Sequence, residues 1–365
     1  MTTRRTFLTG AAALAGSSMA APALSQGRQS LRMVTAWPKD LPGVGVGAQR
    51  LADRIGELTE GRLKVSVHPV GELVRGQDNM DAVMDGTADL SHDLSTYYLA
   101  KSPAFAFFSS VPFGLVASEH NAWIQHGGGQ ALWDELGRRY GIRFFLAGNL
   151  GAQLGGWFRK EISSVQDLEG LRYRVTGLGG QALARLKVSQ VLLAGNAIVE
   201  QMRTDKLDAA EFMGPVNDSF FEFHKEAKFY YWPGFHKPCA AVQLQISARR
   251  FDGLPASSRA AIEAACAEEN ARLHAEYSAK TPEVLRNMVE NQGVILTQFP
   301  PDVFKAFGKA AGEVLEEVRS GEDDLAARIA SSYFGFRDNV LLWTRIGEQG
   351  FENMRLLDYP YPKGA

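Results

Sequence analysis

Asn149-Leu-Gly-Ala-Gln153-Leu-Gly-Gly-Trp-Phe-Arg-Lys-Glu-Ile-Ser-Ser-Val-Gln-Asp-Leu-Glu-Gly-Leu-Arg172-Tyr173-Arg174-Val175 starts with two amides in a glycine-rich crossing and ends on an arginine inside an alternating strand. Alternation puts Arg172 and Arg174 on one face and Tyr173 and Val175 on the other. Downstream, Asp208-Ala-Ala-Glu211-Phe212-Met213-Gly214-Pro215 sets an acid among small and apolar neighbours. An arginine, two amides and one carboxylate make a poor nucleophile set and a good anion-binding set, because a guanidinium fork matches a carboxylate through two parallel hydrogen bonds. Asn149 offers a further hydrogen bond to such an anion. Glu211 repels a bound carboxylate unless Arg174 or a metal cation intervenes. Glu211, the Gln153 side-chain carbonyl and backbone oxygens form an all-oxygen set suited to Ca²⁺ or, by the same hardness, Na⁺. A structural ion pair between Arg174 and Glu211 is the other reading of the same residues.

Outward from this stretch the pattern is α/β. Leu31–Trp37, Leu63–Val67 and Ala88–Leu94 read as strands, separated by helices at Leu51, Ile55 and Leu58 and at Gln77–Met84, which Gly61 and Gly86 stop. This alternation predicts a mostly parallel sheet, joined by a strand at Ile142–Leu146. Residues 150–238 repeat the pattern with strands at Gly155–Arg159, Leu171–Val175, Val191–Leu193 and Asp208–Met213. A long helical region runs from Leu254-Pro255 to about Ala279, and Thr281-Pro282 predicts a fresh helix start. Val294–Phe299 is a strand, and the chain is helical from Pro301 onward. The chain crosses between the two units more than once, the arrangement of hinged lobes with a ligand in the cleft.

The 365 residues suffice for two medium domains, and 45% hydrophobic with 22% charged residues is the composition of a folded globular protein. Thr3-Arg4-Arg5-Thr6-Phe7-Leu8, followed by an apolar small-residue run to Ala23, predicts a twin-arginine signal peptide over residues 1–25 and a mature protein in a bacterial periplasm. Without that segment 37 bases face 41 acids, which excludes a strongly basic nucleic-acid binder. Cys239 and Cys266 permit a disulfide there, but Cys266 lies in a helical pattern and reads as a buried thiol. Gly43-Val-Gly-Val-Gly47 and His126-Gly-Gly-Gly129 lack the Lys-Ser/Thr of a phosphate loop. Asp81, Asp85, Asp89 and Asp93 recur every four residues across Gly86 and read as a solvated face. No His-Glu-x-x-His or Gly-x-Ser-x-Gly motif occurs. Tyr98, after a strand at an expected cleft edge, is either a pocket wall over the ligand's apolar part or plain core.

Leu63-Lys-Val-Ser-Val-His-Pro-Val-Gly-Glu-Leu73, Asp81-Ala-Val-Met-Asp-Gly-Thr-Ala-Asp-Leu90, Pro112-Phe-Gly-Leu115, Gly155-Gly-Trp-Phe-Arg159, Gly170-Leu-Arg-Tyr-Arg-Val175 and Ala210-Glu-Phe-Met-Gly-Pro215 follow in a specific order. In that order they resemble the periplasmic substrate-binding proteins of TRAP transporters, the DctP-like superfamily, and above all its α-keto-acid branch. The resemblance covers essentially the whole mature chain. It implies an α/β, two-lobed periplasmic-binding-protein fold with a cleft between the lobes and extra C-terminal helices. Lobe I is expected from residues 26–150 and about 239–285, lobe II from 151–238 and about 286–325, with C-terminal helices over 326–365. The resemblance implies that Arg174 holds a ligand carboxylate and that Gln153 and Glu211 bind a bridging Na⁺ or Ca²⁺ with the Phe212 backbone carbonyl. Gln243 falls where the family brings another polar group. Phe212 stands where the branch often has tryptophan; a carbonyl ligand survives that exchange, whereas pocket shape need not.

The implied function is a solute receptor, not an enzyme, that passes a small 2-oxo or 2-hydroxy monocarboxylate (pyruvate, 2-oxobutyrate or lactate) to TRAP permease membrane subunits. A receptor for a dicarboxylate or sugar acid is the alternative, which a second basic group in the cleft would favour. A periplasmic metal-assisted lyase with Glu211 as base is the rival from another class. Some α-keto-acid receptors pair through C-terminal helices, so Tyr333, Phe334, Phe336, Leu341, Leu342 and Trp343 serve either a homodimer or packing on their own lobe.

Overall fold

In a computed structural model that describes residues 27–193 and 195–362, eleven strands sort into two sheets; the signal-peptide motif around Arg4 and Arg5 lies outside the described residues. In chain order the strands are β1 (Gln29–Thr35), β2 (Leu63–His68), β3 (Leu90–Asp93), β4 (Ile142–Asn149), β5 (Gly156–Phe158), β6 (Arg172–Arg174), β7 (Ser189–Val191), β8 (Ala209–Ala210), β9 (Phe229–Trp232), β10 (Ala241–Ser247) and β11 (Ile295–Gln298). The first sheet has the order β2-β1-β3-β10-β4 and the second β11-β9-β5-β8-β6-β7. β1 runs parallel to β2 and β3, and β6 parallel to β7 and β8, as βαβ units demand. β10 and β5 pair antiparallel with both their neighbours. Each arrives from the other sheet and is free of the crossover rule that makes its neighbours parallel.

Two crossings lie side by side. One carries the chain from β4 to β5 and the other from β9 back to β10. Ala241 pairs with Asn149, the Leu150 N–H donates to the Ala240 carbonyl at 3.0 Å, the Gln153 N–H to the Lys237 carbonyl at 3.1 Å, and the Gly234 N–H to the Gln153 carbonyl at 3.0 Å. Gly234 is required by this approach, since a Cβ there would stand 2.5 Å from the Gln153 carbonyl oxygen.

A third crossing is the helix Ala256–Asn291, which packs on β4 and on the helix Val44–Leu58 before the chain enters β11. Pro282 sits inside this helix, where the sequence predicts a break. Proline there removes only one N–H, the one that would serve the Ser278 carbonyl, and buried Tyr277 and Met288 anchor the helix on either side. Packing thus overrides the local stop signal.

The first sheet's core is aromatic: Trp133 stacks between Phe108 and Phe144, with ring centroids 4.8 and 5.4 Å away. Asp89 and Asp93 are buried, contrary to the expected solvated face, while Asp81 and Asp85 are exposed. Gly86 ends the helix that carries the first pair, and Asp89 leads into β3, which ends on Asp93. Cys239 and Cys266 are free and buried. Of the C-terminal aromatics, Tyr333 packs on its own lobe and its hydroxyl accepts from the Leu115 N–H at 2.7 Å, whereas Leu342 and Trp343 are 67% and 66% exposed. No helix of the described residues is long and apolar enough to cross a membrane.

Candidate functional site

Strand pairing puts Arg174 beside Glu211. β6 and β8 are parallel with Arg174 opposite Ala210, so the next residue, Glu211, leaves the sheet alongside the guanidinium. The Glu211 N–H donates to the Arg174 carbonyl at 2.9 Å. Arg174 Nη1 donates to the Glu211 carbonyl at 2.6 Å and lies 3.4 Å from Oε2, while Nε donates to the Leu193 carbonyl at 3.1 Å. The Arg174 Cζ sits 5.5 Å from the centre of the Phe212 ring, a cation–π stack that holds the fork in one plane. Among the described residues Nη2 has no hydrogen-bond partner, leaving one arm of the fork for a ligand. Two residues back, Arg172 takes Asp208 at 2.7 Å in a partly exposed pair.

Two further residues converge on Glu211. The Lys237 ammonium donates to Glu211 Oε1, and His236 Nε2 lies 3.8 Å from the same oxygen. Both come from the β9–β10 crossing, and both are buried. Burial by itself would raise the Glu211 carboxyl, but Lys237, His236 and Arg174 more than offset it and hold it at about 2. Burial lowers Lys237 and also His236, against the pull of Glu211. Two basic side chains and one imidazole thus meet at a single buried carboxylate.

The amides stand in the neighbouring crossing. Gln153 is 3% exposed and neither its Oε1 nor its Nε2 has a partner. Asn149 Oδ1 accepts from the Gly151 N–H at 2.9 Å, and its buried Nδ2 is unpartnered. A buried amide left unpaired costs about 1–3 kcal/mol per group, so these atoms mark a place that something else completes. For a hard cation the donor chemistry fits: Gln153 Oε1, the Glu211 carboxylate and the Phe212 carbonyl are all oxygens. No group of three or more His, Cys, Asp or Glu side chains is gathered for a metal among the described residues, so an ion here rests on one carboxylate plus neutral oxygens.

Tyr98 and Gln243 both bond to Asp93. The Tyr98 hydroxyl donates to Asp93 Oδ2 at 2.6 Å and its ring packs 5.8 Å from Phe105. Gln243 Nε2 donates to Asp93 Oδ1 at 2.8 Å and its Oε1 accepts from Ser95 at 2.7 Å. A fully buried carboxylate needs donors, and Asp93 takes these side chains for that purpose. Tyr97 is the tyrosine that feels the cluster: burial pushes its phenol up to about 12, with Arg174 opposing and Glu211 adding. Sequence reasoning missed Lys237 and His236. The available signal was the polar His236-Lys237 pair in an otherwise apolar crossing.

Residues 34–321 match the family of bacterial extracellular solute-binding proteins, family 7, DctP. The chain is 37% identical over 322 residues to a monocarboxylate 2-oxoacid-binding periplasmic protein of Nostoc sp., covering 88% of each chain. A TRAP transporter solute-binding protein of Bordetella bronchiseptica is 36% identical, with a TM-score of 0.87 over 89% of this chain and 96% of that one; it is a mixed-occupancy dimer with copurified calcium and picolinate. A TRAP periplasmic solute-binding protein of Pseudoalteromonas atlantica, with bound sodium and pyruvate, is 29% identical, with a TM-score of 0.87 over 91% of this chain and 100% of that one. The two-sheet fold with its paired crossings and the match over residues 34–321 agree: the chain belongs to the DctP family and is a TRAP solute receptor.

Proposed function

We propose that this receptor binds a small 2-oxo or 2-hydroxy monocarboxylate, pyruvate, 2-oxobutyrate or lactate, in the periplasm and delivers it to TRAP permease membrane subunits. The observation that carries this reading is geometric: two buried basic side chains, Arg174 and Lys237, converge on the single buried carboxylate of Glu211, and one arm of the Arg174 fork has no partner among the described residues. Arg174 Nη2 receives the ligand carboxylate, and the unpartnered Gln153 and Asn149 amides serve its remaining oxygens. One relative holds calcium with picolinate and another sodium with pyruvate. Here Gln153 Oε1, Glu211 and the Phe212 carbonyl are the oxygens that would hold such an ion, with the Lys237 ammonium withdrawn from Glu211.

Lobe I is assigned to residues 26–150 and about 239–285 and lobe II to 151–238 and about 286–325. Ligand closes them about the paired crossings, where water is then excluded. Micromolar affinity requires about 8 kcal/mol net, within reach of a buried fork.

Lys237 is a second basic group at the site, the feature that would favour a dicarboxylate. Its ammonium is taken by Glu211, which leaves the free arm of Arg174 as the basic group for a single carboxylate. As a lyase base Glu211 is poorly matched, because a carboxyl held at about 2 accepts protons weakly at neutral pH. A homodimer through exposed Leu342, Trp343 and Ile346 is part of the proposal; light scattering on the chain ended at residue 340 should then report a monomer.

The test is a thermal-shift screen of the mature protein with pyruvate, 2-oxobutyrate, lactate, succinate and a sugar acid. A rise in midpoint confined to the 2-oxo and 2-hydroxy monocarboxylates is expected. A rise only with succinate or the sugar acid would refute the ligand class.

A further inference from the structure

The Lys237 ammonium already takes one of the Glu211 carboxylate oxygens that a metal ion would need. It donates to Glu211 Oε1, while Arg174 lies 3.4 Å from Oε2, so both carboxylate oxygens already face a cation. Lys237 and Glu211 are 3% and 1% exposed, and the lysine backbone is fixed on both sides: its carbonyl accepts from the Gln153 N–H at 3.1 Å and its N–H donates to the Gly234 carbonyl at 3.1 Å. A metal added to this arrangement would make three cations around one buried carboxylate, an uncompensated excess that a dry site tolerates poorly. Lysine carries a compact point charge on a flexible four-carbon stem, so the ammonium is able to withdraw from Glu211 while the backbone stays in place.

We infer that Lys237 is the resident cation of this site: its ammonium competes with Na⁺ or Ca²⁺ for Glu211, so that the receptor holds its anion with the metal dispensable. The inference rests on Glu211 being the cation position proposed above. Its sense is one of specificity: a receptor with its cation built in responds to the anion alone, and its affinity does not follow the sodium or calcium level outside the cell.

The experiment compares wild type with Lys237→Met, which keeps the stem and removes the charge, and with Lys237→Arg, which keeps the charge. Calcium is titrated calorimetrically without any organic acid. Lys237→Met should bind calcium about tenfold or more tightly than wild type, because a positive charge at contact distance has been removed, and Lys237→Arg should stay near wild type. Pyruvate is then tested by thermal shift in choline with chelator. Wild type should keep its rise, and Lys237→Met should lose it until sodium or calcium is restored. Equal calcium affinity in wild type and Lys237→Met, or a wild-type pyruvate response that disappears with chelator, would overturn the inference. If no organic acid shifts any of the three proteins in any buffer, the receptor's ligand assignment has failed instead, and the calcium comparison still decides the role of Lys237. If Lys237→Met does not fold, calcium titration of Lys237→Gln decides in the same way.

Discussion

Arg174→Lys separates what the guanidinium does for the fold from what it does for a ligand. In the folded chain Arg174 serves the Leu193 carbonyl at 3.1 Å and the Glu211 carbonyl at 2.6 Å from two different nitrogens, over the Phe212 ring. A lysine has one nitrogen and cannot span both carbonyls in that plane. One buried carbonyl then loses its donor, a cost of about 1–3 kcal/mol in the ligand-free protein. The loss on the ligand side is separate. Replacing the fork by a point charge leaves a buried carboxylate underpaired, which costs about 2–5 kcal/mol of affinity, roughly thirtyfold to several thousandfold in Kd. The first cost is present with and without ligand and cancels from Kd, so urea denaturation reads one and calorimetric titration of pyruvate the other. A variant destabilised as expected but binding within about twofold of wild type would refute the assignment of Arg174 to the ligand, leaving it a structural ion pair.

Glu211→Gln removes the anion between two buried cations and should cost the ligand-free protein about 3–5 kcal/mol, part of which a bound monoanion restores. It should also abolish any response of the melting midpoint to sodium or calcium; an unchanged response would remove Glu211 from the cation position. Asp218, which accepts from Trp157 at 2.8 Å and Tyr230 at 2.7 Å, has its carboxyl pushed up by burial to about 6. The folded state therefore holds this proton more tightly than the unfolded state does. Its contribution is complete below about pH 4 and is lost as pH rises to about 6, by up to about 3 kcal/mol. Asp218→Asn should flatten this part of the wild-type urea midpoint–pH curve, and identical curves for the two proteins would show that Asp218 titrates normally.

The parts of the site that could be read from the sequence are those carried by periodic structure. Arg174 and Arg172 share a strand face, and an acid follows the partner strand by one residue, so period two and parallel pairing suffice to bring Arg174 to Glu211. The α/β alternation likewise announces two sheets. Asp93, in a four-residue spacing that looked solvated, is buried and takes hydrogen bonds from Tyr98 and Gln243. Pro282 misled for a related reason: a local signal worth one hydrogen bond lost to packing over a 36-residue helix.

Lys237 was overlooked for a different reason. It belongs to a non-repeating crossing, and nothing in the order of residues says that residues 234–240 run beside residues 149–153. Yet the crossings are where a two-lobed receptor must keep its binding chemistry, because they belong to both sheets and are present whether the lobes are open or closed. A charge placed there acts on the ligand in every state of the receptor. An ion taken from solution acts only after it has bound. The position of Lys237 in the crossing, more than its charge alone, is what lets an ammonium stand in for a metal.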